Sequence, residues 1–141
     1  MKSVSYGKIH LILHDRSSLL GEDEDGVLCV MPSIREECAP VRLSHYYVES
    51  RTDDIPKYLC ERLRYFMQHC ARLEAVDVEK VEVASGNLCY QAIGLKSDDH
   101  WWISRVIGSV EEREYWLVHW NGTEDVLIRD VIEIVDSVDF Q

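Results

Sequence analysis

His100-Trp-Trp-Ile-Ser-Arg-Val-Ile-Gly108 and Arg113-Glu-Tyr-Trp-Leu-Val-His-Trp120 stand on either side of the polar stretch Ser109–Glu112. In the first, Trp101, Ile103, Arg105 and Ile107 alternate with Trp102, Ser104 and Val106; in the second, Trp116, Val118 and Trp120 alternate with Tyr115, Leu117 and His119. A period of two marks strands, and strands apolar on both faces belong to a sheet covered on both sides. Just upstream, Leu88–Leu95 and Val78–Ala84 flank Ser85-Gly-Asn87, a triplet whose Gly and Asn tolerate the positive φ of a tight hairpin. These four segments predict an antiparallel meander.

Further out, Lys8–His14 alternates Ile9, Leu11 and Leu13 with His10, Ile12 and His14, Val27–Met31 is a short apolar run, and Val41–Val48 puts Val41, Leu43, His45 and Tyr47 on one face. Between them, Gly21-Glu-Asp-Glu-Asp-Gly26 reads as a solvated loop, as does Ser33–Pro40. The spacing of Leu59, Leu63, Phe66, Met67, Cys70 and Leu73 predicts a helix over Pro56–Leu73, with Asp53 and Asp54 placed to cap it. A second helix is predicted after Thr123, carrying Leu127, Val131, Ile134, Val135 and Val138 on one face and fraying near Ser137. The order β-β-β-α-β-β-β-β-α lacks the crossover helices of a parallel sheet. It predicts a single α+β domain over residues 1–141, a mainly antiparallel sheet with two packed helices.

The chain has 141 residues, 46% of them hydrophobic, and 26 acidic against 15 basic residues give a net charge of −11. That balance disfavours nucleic acid and anionic lipid, and no run approaches the roughly 20 apolar residues of a membrane span. Residues 101–141 hold nine acids against Arg105, Arg113 and Arg129. This surface serves solubility or steers a basic, amphipathic partner, with Glu111, Glu112, Glu114, Glu124 and Asp125 as its rim. Cys29, Cys38, Cys60, Cys70 and Cys89 form no C-x-x-C pair. Met1–Tyr6 is mostly polar, without the long apolar run of a secretory signal, so a cytoplasmic protein with reduced thiols is expected.

No sequence motif specifies a catalyst or cofactor. His10 and His14 lie on a strand, where four residues span about 13 Å, too far to share one ion. His69-Cys70 and Asp98-Asp99-His100 place reactive groups side by side in sequence without a geometry that activates them. The four tryptophans are the unusual concentration, and two or three of them are expected in the core. Trp101, Trp102, Arg105, Trp116, His119 and Trp120 are therefore the candidate partner- or ligand-binding residues, since aromatics and arginine dominate binding hot spots.

The three strands, Pro-opened helix, Trp-bearing meander and C-terminal helix ending Ile134-Val-Asp-Ser-Val-Asp-Phe140 resemble the PsbP-like superfamily. The resemblance implies an α-β-α sandwich and mostly non-enzymatic roles: a photosystem II extrinsic subunit, a Ran-binding nuclear import factor, and bacterial chaperones for secreted effectors. It carries over no functional residue. The expectation is a small cytoplasmic, non-enzymatic binding or adaptor protein, such as a chaperone or immunity protein for a secreted effector. The alternative is a small-molecule binding domain or enzyme with a pocket between sheet and helix lined by Tyr90, Trp101 and His119.

Overall fold

A computed structural model of the protein describes residues 1–33, 38–70, 77–96, 100–123 and 128–141. The strands are β1 Lys2–Tyr6, β2 Ile9–Leu13, β3 Ser18–Glu22, β4 Leu28–Met31, β5 Val41–Tyr47, β6 Glu79–Lys80, β7 Leu88–Lys96, β8 His100–Ser109, β9 Glu114–Gly122 and β10 Asp139–Phe140. The helices are α1 Ile55–Cys70, between β5 and β6, and α2 Ile128–Ser137, between β9 and β10. A seven-stranded sheet runs in the order β3-β4-β5-β9-β8-β7-β6, and a three-stranded sheet in the order β1-β2-β10. All observed strand pairs are antiparallel. The α+β class with two helices on a mainly antiparallel sheet is therefore as the sequence indicated.

The meander β6-β7-β8-β9 forms in the expected order, with Ile103 opposite both Ile93 and Trp120. Its double-sided apolar pattern has a direct cause. On one face Ile103, Ile107, Val118 and Trp120 meet α2 and the small sheet; on the other Trp102, Val106 and Tyr115 meet α1. Leu59, Leu63 and Met67 of α1 are fully buried there, while Phe66, at the edge of the stripe, is half-buried. Gly108 allows this close approach, because a Cβ at that position would lie 2.7 Å from Leu59 Cδ1. Asp54 caps α1 as anticipated, its Oδ1 accepting from Lys57 N–H at 3.1 Å. The far end of the predicted helix, residues 71–73, lies outside the described residues, as do 124–127 with Glu124, Asp125 and Leu127.

Several local readings need correction. A second sheet exists because Lys2–Tyr6 pairs with β2 through a turn at Gly7, whose φ is +58°. This edge strand is mostly solvated, so it carries no apolar alternation. The acidic loop is not wholly solvated. Asp23 Oδ1 accepts from the N–H groups of Asp25 and Val27, and Asp23 Oδ2 accepts from Arg42 at 2.7 Å. The hydrogen bond from Val27 holds the Asp23 carboxyl below its ordinary range despite partial desolvation. Within the predicted strand Val78–Ala84, only Glu79–Lys80 joins the sheet, because the chain then turns toward the C-terminal segment. There the Ser85 N–H and hydroxyl both donate to the Asp139 carboxylate.

Cys89 is fully buried, with burial pushing its thiol up to about 11. Alkylation of Cys89 is expected only on global unfolding, whereas half-buried Cys60 reacts in the folded chain. Mass spectrometry of alkylated peptides with and without denaturant checks this. Equal native labelling of both would show that the core beneath α2 opens locally.

Candidate functional site

The face of the large sheet beside α1 gathers aromatic side chains from three elements. Tyr46 of β5 and Tyr115 of β9 are direct cross-strand neighbours, and their rings stack at 5.4 Å. Tyr58 of α1 meets Tyr115 edge-on at 5.9 Å. One turn further along α1, the Arg62 guanidinium lies 5.2 Å from the Tyr65 ring centre and 6.0 Å from that of Tyr58. Tyr65 in turn stacks on His69 at 4.0 Å. Tyr46, Arg62, Tyr65 and Tyr115, with Phe66 and Leu117, line a groove of about 150 Å³. Tyr46 and Tyr65 at its rim are 45% and 52% exposed, while Tyr115 at its floor is 6% exposed. Burial, reinforced by the hydrogen bond with Tyr58, pushes the Tyr115 hydroxyl pKa up, so the floor stays neutral.

Most of the residues that the sequence singled out lie inside the protein. Trp120 is fully buried and donates its indole N–H to Ala39 O at 2.9 Å. Trp102 is 8% exposed, packed 5.0 Å from the His119 ring, and its Nε1 has no hydrogen-bond partner. Trp101 and Trp116 are half-buried against the α2-side core, Trp116 beside His45 at 4.9 Å. Arg105 is 1% exposed; it donates from Nε to Gln91 Oε1 at 2.8 Å and from Nη1 to the backbone carbonyls of Asp136 and Val138, both at 3.0 Å. It is a buried cap on the C-terminal end of α2, where a cation is favourable. The expected cluster of Trp, Arg and His is split between the two faces of the sheet and presents no common surface. Among the described residues, Trp101, Tyr90 and His119 border neither the aromatic groove nor the cavities beside α2.

His119 makes the one arrangement with a catalytic outline. Asn121 Nδ2 donates to His119 Nε2 at 3.2 Å, which leaves the ring proton on Nδ1, donated to Ser104 Oγ at 2.8 Å. A serine nucleophile needs the opposite polarity, with the imidazole accepting the hydroxyl proton. Ser104 is also fully buried. Burial, and secondarily the Arg42 charge, push His119 down to about 4, so the ring is neutral near pH 7. His69 Nδ1 donates to the Tyr65 carbonyl at 3.0 Å. Asp98 and Asp99 lie outside the described residues.

The acidic rim is also partly consumed within the fold. Lys8 Nζ donates to Glu112 Oε2 at 2.9 Å and to Glu114 Oε1 at 3.1 Å, and His45 Nε2 donates to Glu114 Oε2 at 3.0 Å. Burial pushes the Glu114 carboxyl up, but these hydrogen bonds outweigh it and leave it below its ordinary range. Only Glu111 of the three remains a free rim acid among the described interactions. Sequence reasoning missed the groove because Tyr46, Tyr115 and the Arg62/Tyr65 pair sit on three separate elements. The available signal was the i, i+3 pair Arg62/Tyr65 on the polar face of the predicted helix. No protein-family model matches the chain, and a search among curated proteins finds no match.

Proposed function

We infer that the protein is a non-enzymatic binding module that engages a segment of another protein through the aromatic groove beside α1. The observation that carries this reading is the half-exposed Tyr46/Tyr65 rim over a buried Tyr115 floor, with the Arg62 guanidinium over the Tyr65 and Tyr58 rings. Tyrosine and arginine present large, stiff contact surfaces at low entropic cost, the composition of binding hot spots. The cavity accommodates a single apolar side chain rather than a metabolite, whose pockets usually exceed about 300 Å³. Arg62 can donate to backbone carbonyls of the docked segment, and a net charge of −11 favours a segment of net positive charge. The inverted Ser104–His119 polarity supports the non-enzymatic reading. The layout's resemblance to the PsbP-like superfamily supports a cytoplasmic adaptor, with an effector chaperone or immunity protein as its particular form.

The test compares the wild type with a Tyr46→Ser/Tyr65→Ser variant as bait. Both residues are about half exposed, so the double variant is expected to melt within about 1 kcal/mol of the wild type. A partner captured by the wild type should bind the variant at least tenfold more weakly, and its on-rate should fall with added salt. Equal binding by both proteins, with folding verified, would place the interface elsewhere and reject the groove.

A further inference from the structure

Only one group of metal-capable side chains lies together among the described residues: His14, just after β2, with Asp130 and Glu133 of α2. Asp130 and Glu133 are three positions apart on the helix and so project to one side of it. Their carboxylate oxygens and a His14 ring nitrogen all lie within 4.8 Å of one another. His14 Nε2 is 2.8 Å from Glu133 Oε2, yet the two are not aligned for a hydrogen bond, and Nε2 is buried with no hydrogen-bond partner. A buried imidazole nitrogen without a hydrogen-bond partner, with two carboxylates inside 4.8 Å, is a donor set that one cation could share. The predicted isolation of His14 from His10 holds, since His10 Nδ1 instead faces Ser5 Oγ at 2.9 Å. Residues from the far end of the chain, not its strand neighbour, supply His14 with companions.

We propose that His14, Asp130 and Glu133 form a binding site for a divalent transition ion, with Zn²⁺ the best fit. One imidazole and two carboxylates suit such an ion, whereas Mg²⁺ and Ca²⁺ take oxygen ligands. Tetrahedral ligands at about 2.1 Å from zinc stand roughly 3.4 Å apart, so the 2.8 Å between His14 Nε2 and Glu133 Oε2 would have to widen, which the half-exposed Glu133 side chain can do by a change of rotamer. Two carboxylates also balance the charge of the ion. Three protein ligands leave a position open, and two of them, His14 and Glu133, border a cavity of about 400 Å³ together with Ile12 and Ser137. Water or an anionic oxygen of a ligand would complete the coordination there. The site is on the opposite side of the large sheet from the aromatic groove, so the two readings stand or fall separately.

The test is titration of the full chain with Zn²⁺ by calorimetry and with Co²⁺ by absorption, alongside His14→Phe, Asp130→Asn and Glu133→Gln. The wild type is expected to bind one ion, and each variant to bind at least about tenfold more weakly. The Co²⁺ complex should show ligand-field bands without the intense absorption of a thiolate complex, which separates this site from the cysteines. Zn²⁺ at about one hundred times its Kd should raise the Tm of the wild type by several degrees and leave that of Glu133→Gln nearly unchanged. The two amide variants replace half-buried or exposed carboxylates with near-isosteric side chains, so they report even if His14→Phe does not fold. Undiminished binding in both, a thiolate spectrum, or no saturable binding below about 100 μM would each overturn the proposal.

Discussion

Replacing Arg105 with Met is expected to destabilise the fold by about 3–5 kcal/mol, the range seen when one member of a buried charged network is removed. Four acceptors depend on this guanidinium: Gln91 Oε1, the carbonyls of Asp136 and Val138, and the Asp136 carboxylate 3.6 Å from Nη2. Methionine fills much of the volume but leaves the carbonyls at the end of α2 without donors. The cost of each orphaned buried group is about 1–3 kcal/mol. Lysine is not a conservative exchange, because its single ammonium cannot reach Gln91 and two divergent carbonyls as the planar fork does. Chemical denaturation measures the loss, and hydrogen exchange should localise it to the end of α2 and to β10. A change under about 1 kcal/mol would mean that water replaces the guanidinium without penalty.

The second large effect is pH-dependent. Unfolded, His119 titrates near its ordinary 6.5; folded, it is held at about 4. The unfolded chain therefore binds the extra proton first, so stability is complete above about pH 6.5 and declines as pH falls toward the folded value. Each unit of separation is worth about 1.4 kcal/mol, so the full decline is roughly 3 kcal/mol, of which about 2 kcal/mol falls between pH 7 and pH 5. Glu114 acts in a lower window: its depressed carboxyl stabilises above about 4.5 and loses that contribution as pH falls further. Denaturant melts across this range should show the upper decline in the wild type and lose it in His119→Gln, which keeps a polar group beside Ser104 and Asn121. An unchanged slope in the variant would assign the acid sensitivity to another group.

Legibility in the sequence followed burial. Trp101 to Ile107 announced a strand packed on both faces because both faces do pack, one against α1 and one against α2. Leu59, Leu63 and Met67 announced α1 for the same reason. Lys2–Tyr6 announced nothing, since an edge strand made of Ser, Val, Ser and Tyr is held by backbone hydrogen bonds that no side-chain pattern records. Arg105 illustrates the corresponding limit for sites. Its neighbours in sequence, tryptophans, made it look like a binding anchor, whereas two of its partners are carbonyls belonging to a helix end some thirty residues on. The groove was hidden for a different reason, being assembled from Tyr46, Arg62, Tyr65 and Tyr115, which meet only after α1 has crossed the sheet.

The pairing of β10 with β2 also sets an order of events during synthesis. Ile9 finds its partner in Phe140, and the Gln141 N–H closes on Lys8 O at 3.1 Å. The β1–β2 hairpin is local in sequence, but its apolar Ile9, Leu11 and Leu13 face packs against α2 and its open edge pairs with β10, both far along the chain. Pairing across so long a stretch of chain is slow to nucleate and exposes the waiting hairpin to self-association. A nascent chain halted before α2 should therefore be a substrate for chaperones or proteases, and deletion of Asp139 and Phe140 should free the edge of β2 that they pair with.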